Sequence, residues 1–153
     1  MTTREAPTAA GRVIQSTRFG TIEAPENQLM HFPLGIPGFA DAKDFVLVEH
    51  RPGSVFRWLQ AATLPELAFV VIDVLAFVPD YPIADVRKAL AFCEIAADEE
   101  LAVLAICRVP PPPDEPTANF QAPIGVGLRS RRGAQILLHD SGFSMSMAFL
   151  RPR

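Results

Sequence analysis

Fifteen prolines are spread along 153 residues, and they exclude more folds than any other feature of the chain. Proline lacks a backbone N–H and its ring breaks helix interiors, so an all-helical bundle is incompatible with this pattern. One proline-free interval, after Pro82, carries the only persuasive helix: Asp85 is placed to cap it, and Val86, Ala89, Leu90 and Cys93 recur at helical spacing. Elsewhere, short runs of β-branched and apolar residues lie between turn signals. They predict strands at Val13–Thr17, Thr21–Glu23 after a turn at Gly20, Leu29–Phe32, Phe45–Glu49, Phe56–Ala61, Ala68–Ile72, Leu101–Val109, Thr117–Ala122, Gln135–Leu138 and Ser144–Phe149. Ala68–Ile72 shows no alternation, as expected of a central strand covered on both faces. Two loops, Phe32–Phe39 and Phe77–Pro82, are too rich in proline for regular structure, and the first is expected to tuck Ile36 and Phe39 against the core. Pro110–Pro113, with Pro116 close behind, predicts a stiff polyproline connector. Eight to ten strands and one helix point to a mainly β, antiparallel barrel-like or sandwich domain.

Length and composition narrow the function. Apolar residues at 49% and charged residues at 20% support one packed domain, expected over residues 12–150 behind a flexible arm at 1–11. Fourteen basic against 17 acidic side chains leave a net charge of −3, which argues against binding nucleic acid by phosphate neutralisation. No run approaches the roughly 18 apolar residues that span a bilayer. The first twelve residues lack the apolar stretch of a secretory signal. Cys93 and Cys107 form no Cys-x-x-Cys spacing. The expectation is a cytoplasmic domain with no membrane partner, no cofactor and no metal.

Motifs that carry chemistry are sparse. His31, His50 and His139 form no metal-ligand spacing. His139-Asp140-Ser141 holds the letters of a hydrolase triad, but adjacent residues do not converge on one substrate. Asp73 and Asp80 bracket an apolar loop and could pair for acid–base work, although aspartate beside a strand end or a proline is also an ordinary turn residue. Gly125-Val-Gly127 lacks the third glycine of a dinucleotide fingerprint. Arg129, Arg131 and Arg132 read as a solvated basic turn, or with Phe120 as a nucleic-acid contact. What remains is aromatic: Phe39, Phe77, Tyr81 and Phe143 sit in rigid loops where all four are hard to bury, which suits a protein–protein contact.

Several strings resemble the FliW-type flagellar assembly factors. They are Arg18-Phe19-Gly20, Phe32-Pro33-Leu34-Gly35-Ile36-Pro37-Gly38-Phe39, Trp58-Leu59-Gln60, Leu67-Ala68-Phe69-Val70-Val71-Ile72-Asp73, Pro79-Asp80-Tyr81, Thr117-Ala118-Asn119, Ala122-Pro123-Ile124 and Gly133-x-Gln135. The resemblance runs in register from about Arg18 to Leu138. It departs at the proline run, at Phe143 where tyrosine is common, and at Ser144–Arg153, which lacks the usual basic and histidine ending. It implies a small antiparallel β-barrel-like domain without enzyme activity and two cytoplasmic protein partners, flagellin and the RNA-binding translational regulator CsrA. By holding CsrA, such a factor relieves repression of flagellin mRNA until unexported flagellin displaces it.

The expected contact surface is the Phe77–Tyr81 loop, with Phe77, Asp80 and Tyr81, together with the acids Glu99 and Glu100. The rival is a small hydrolase or metal-dependent enzyme using Asp73, Asp80, His139 and Asp140, which requires those side chains to share one pocket.

Overall fold

The computed structural model describes residues 11–150, so the expected arm lies, apart from Gly11, outside the described residues. The strands are β1 (Gly11–Ser16), β2 (Gly20–Pro25), β3 (Leu29–His31), β4 (Asp44–Glu49), β5 (Arg57–Ala61), β6 (Ala68–Asp73), β7 (Leu101–Arg108), β8 (Thr117–Ala118), β9 (Ile124–Gly127), β10 (Gly133–Gln135) and β11 (Met147–Ala148). Two short helices, α1 (Val74–Phe77) and α2 (Ile83–Ala89), fall between β6 and β7. No helix among the described residues is long and apolar enough to cross a membrane.

Strand pairing is antiparallel throughout, and the main sheet runs in the order β10-β9-β7-β6-β5-β4-β3. Its two ends curl together at a single parallel bridge between His31 and Arg132, where the His31 N–H donates to the Arg131 carbonyl at 2.7 Å. The Arg131 guanidinium adds bonds to the carbonyls of Gln28 and Leu29, at 3.0 and 3.2 Å. The domain is therefore mainly β and barrel-like, with a seam held by one bridge rather than a full ladder.

Side chains alternate across this sheet, as strand geometry requires. Inward residues, among them Phe32, Phe45, Leu59, Val71, Leu104 and Ile124, form one core. Outward Ile72, Val103 and Ala105 form a second core with Tyr81, Val86, Leu90 and Phe120. The β1–β2 hairpin covers a third, small core of Ile14, Ala24, Leu29 and Val46. Thus β6 lies between β5 and β7 with a core on each face, as its unalternating sequence implied.

Several expectations need correction. Helix α2 starts at Ile83 with Pro82 at its N-cap, so Asp85 lies in the first turn and its side chain caps nothing. The proline run is not a straight rod: the Asp114 N–H donates to the Pro111 carbonyl at 3.3 Å, and the turn returns Thr117–Ala118 alongside Cys107–Arg108. The following strand stops at Ala118 because the Asn119 side chain accepts the N–H groups of Gln121 and Ala122. Of the loop residues expected to tuck in, Ile36 is buried, whereas Phe39 is 41% exposed and meets Phe69 edge-on. The strand expected at Gln135–Leu138 is Gly133–Gln135 instead. Gly133 faces β9 so closely that a Cβ there would stand 2.1 Å from the Gly125 carbonyl oxygen.

Candidate protein-docking site

Val74–Phe77 forms one helical turn directly after β6, and a tight turn follows in which the Tyr81 N–H donates to the Val78 carbonyl at 3.0 Å. This geometry sends Tyr81 into the outer core and leaves Asp80 in solvent. Tyr81 is 3% exposed, and its hydroxyl donates to the Phe120 carbonyl. Its ring meets Phe143 at 4.9 Å between centroids. Burial pushes the phenol up to about 12, since the charged form loses its water. The expectation of an exposed tyrosine is therefore corrected: its hydroxyl finds a backbone acceptor 39 residues away, which loop composition does not reveal.

Phe77 is half-buried and packs edge-on against Phe149 at 5.0 Å. The C-terminal segment reaches it because β11 pairs with β8 and the Phe120 N–H donates to the Ser144 carbonyl. Phe77, Phe120, Phe143 and Phe149 thereby line a groove of 270 Å³ with Asp80 on its rim. Phe143 was visible in the sequence as a loop aromatic. The part played by Phe149 was not, although its alternation with Met147 across Ser144–Phe149 was the available signal.

The two acids behave differently from each other. Glu100 is exposed and precedes β7, with its carbonyl accepting the Leu128 N–H. Glu99 is 2% exposed, so it is not a surface acid. Its carboxylate accepts the N–H groups of Ser130, Arg129 (2.8 Å) and Ala96 (3.3 Å), and these bonds, led by Ser130, hold its pKa below the ordinary glutamate value. Gly127 makes room for it: a Cβ there would lie 2.4 Å from a carboxylate oxygen. Glu99 thus folds the turn between β9 and β10. Glu99 and Glu100 precede β7, while Phe149 follows the strand that pairs, through β8, with the far end of β7. The acids and the aromatic groove therefore belong to opposite ends of that strand.

Of the rival's residues, Asp80, His139 and Asp140 line one open cleft of 510 Å³ with Asp85 and Lys88, and Asp73 does not. His139 and Asp140 are exposed, and no hydrogen bond joins them to each other or to Asp80 among the described residues. Among those residues no group of three or more His, Cys, Asp or Glu side chains could hold a metal ion. The basic turn is largely structural: Arg132 donates to the Cys93 carbonyl at 2.8 Å, Arg131 ties the seam, and exposed Arg129 pairs with Asp98. Phe120, at 2% exposure, offers no ring for a nucleic-acid base to stack on.

Residues 13–149 match the sequence profile of the family described as FliW protein. The flagellar assembly factor FliW of Alkaliphilus metalliredigens is 35% identical over 127 residues, covering 82% of this chain and 78% of the relative. That of Syntrophomonas wolfei subsp. wolfei is 34% identical over 139 residues, covering 91% and 89%. A crystal structure of the flagellar assembly factor FliW superposes with a TM-score of 0.79 at 32% identity, covering 92% of this chain and 98% of that one. Fold, length and sequence agree, and the chain belongs to the FliW family of flagellar assembly factors.

Proposed function

We propose that this chain is a non-catalytic, cytoplasmic partner-switching protein that binds flagellin and CsrA in turn and so relieves CsrA repression of flagellin mRNA. The observation that carries this reading is the match to flagellar assembly factors over most of both chains. Its net charge of −3 suits a basic RNA-binding partner, since complementary charge speeds and orients encounter. Switching requires differential affinity, because a ligand that binds two states equally shifts neither. The contact surface in this proposal is the aromatic groove at Phe77 with Asp80 on its rim, and Glu100 is a separate charged point. Tyr81 supports the groove from within, while Glu99 holds the turn between β9 and β10 beside Glu100.

The test uses purified flagellin and CsrA in sedimentation velocity. Each is expected to form a complex with the chain, and added flagellin is expected to release bound CsrA. Asp80→Lys, a change to an exposed side chain, is expected to weaken at least one complex without moving Tm. Failure of both proteins to bind would end the proposal.

A further inference from the structure

β11 is two residues long and pairs with β8 alone, so its release breaks no other strand pairing. Beyond that pairing, the Ser144 carbonyl accepts the Phe120 N–H at 3.2 Å, while the Ser144 N–H turns back on its own segment to Met147 Sδ at 3.3 Å. No residue from 143 to 150 is buried: Phe143, Met147 and Phe149 are half-buried and the other five are exposed. At the root of the segment Gly142 is exposed at φ +82°, with nothing within 4 Å of where a Cβ would stand. The chain turns there in open space.

The surface under this loosely held segment is built by other elements. Phe149 meets three rings edge-on, Phe77 at 5.0 Å, Phe56 at 6.1 Å and Phe120 at 6.4 Å between centroids. Phe77 belongs to α1, Phe56 precedes β5 and Phe120 follows β8, so the walls of the Phe149 pocket do not depend on the segment that fills it. Beside the pocket, β8 offers its main chain as an edge. This is the layout of a strand-addition site, where bonds along an edge give affinity and pockets for alternate side chains give specificity. Met147 and Phe149 are those alternate side chains, one strand period apart, and Ala148 between them is exposed. Left bare, an edge beside an apolar groove invites unwanted pairing, and here the chain's own segment closes it.

We propose that residues 144–150 are a displaceable strap, which keeps the β8 edge and the Phe149 pocket closed until an extended partner segment with apolar or aromatic side chains at alternate positions takes its place. The chemistry of that occupant is the chemistry of the segment seated there now. The proposal rests on the reading of the Phe77 groove as the contact surface and adds its regulation. Affinity at a site that is open only part of the time falls by the fraction of time it is open. Its test needs neither flagellin nor CsrA, so it can fail while those complexes form and succeed while they do not.

A fluorescein-labelled peptide of residues 144–150, Ser-Met-Ser-Met-Ala-Phe-Leu, is titrated with the full chain while its anisotropy is followed. The wild type, its own strap in place, is expected to bind the peptide about tenfold or more weakly than Phe149→Ser, which keeps the groove and loses the ring that fills it. Ala148→Pro, at an exposed position of β11, is expected to act like Phe149→Ser, since proline disrupts strand pairing there without entering the core. A peptide that itself carries Phe149→Ser is expected to bind neither variant. Equal binding to the wild type and both variants, no saturable binding to either variant, or undiminished binding of the serine peptide would overturn the proposal. So would a wild-type dimer in sedimentation velocity that both substitutions dissolve, because the strap would then be exchanged between copies.

Discussion

Replacing Tyr81 by Phe removes one oxygen and keeps the ring against Phe143 and Phe120. The Phe120 carbonyl then loses the hydroxyl that donates to it inside the outer core. A buried acceptor left without a partner costs about 1–3 kcal/mol. For a chain of this size that corresponds to a fall in Tm of about 3–9 °C. The same hydroxyl makes a second measurement possible, because Tyr81 is the only tyrosine. Its folded pKa of about 12 lies above the ordinary value of 10.0, so folding favours the phenol. The resulting stabilisation is complete below pH 10 and is lost as pH rises towards 12. Phenolate absorbance should therefore lag that of free tyrosine as the folded protein is titrated with base. Thermal melts across the same range should show a steeper alkaline loss for the wild type than for Tyr81→Phe, since Cys93 and Cys107 titrate in both. An unchanged Tm together with phenolate formation near the ordinary value would refute the reasoning and return Tyr81 to the surface.

Other perturbations probe separate supports. Glu99→Gln should lower Tm at neutral pH and flatten the acid limb of the stability curve. The depressed carboxylate stabilises the fold above its ordinary value of 4.5, and that stabilisation is lost as pH falls through the folded value. Equal acid slopes in the two proteins would contradict this. Gly133→Ala drives a Cβ into the Gly125 carbonyl, so circular dichroism melts should show a loss of about 3 kcal/mol or more, or no folded state at all. Gln60 is fully buried, takes the Ser16 hydroxyl and donates to the carbonyls of Ala61, Leu64 and Pro65. Gln60→Leu should cost about 1–3 kcal/mol, with faster hydrogen exchange in the segment from Ala61 to Leu67.

Strands were legible where the signal is local. The runs at Phe45–Glu49, Ala68–Ile72 and Leu101–Val109 lie within a residue or two of β4, β6 and β7, because period and flanking turns belong to the same few residues. The family resemblance was legible for a similar reason, since the Phe32–Phe39 and Leu67–Asp73 blocks are contiguous. Burial of particular polar groups was hidden because their partners are remote. Nothing in Asp98-Glu99-Glu100 marks the middle acid as the buried one; that follows from N–H groups 30 and 31 residues further on. Tyr81 is hidden for the same reason, its acceptor lying 39 residues away. The arginines of the basic turn look solvated by composition, yet two of them spend their donors on carbonyls of distant elements.

An open sheet normally leaves two long selvages, each a row of free amides on which another molecule could polymerise. Here one selvage turns back towards the other, and a single stitch at His31 with a guanidinium staple joins them at one point. The join is accordingly concentrated in one hairpin bend, and that bend keeps its shape through an acid at the start of the neighbouring strand. Loss of this one carboxylate would loosen the bend that carries the contacts to Leu29 and His31.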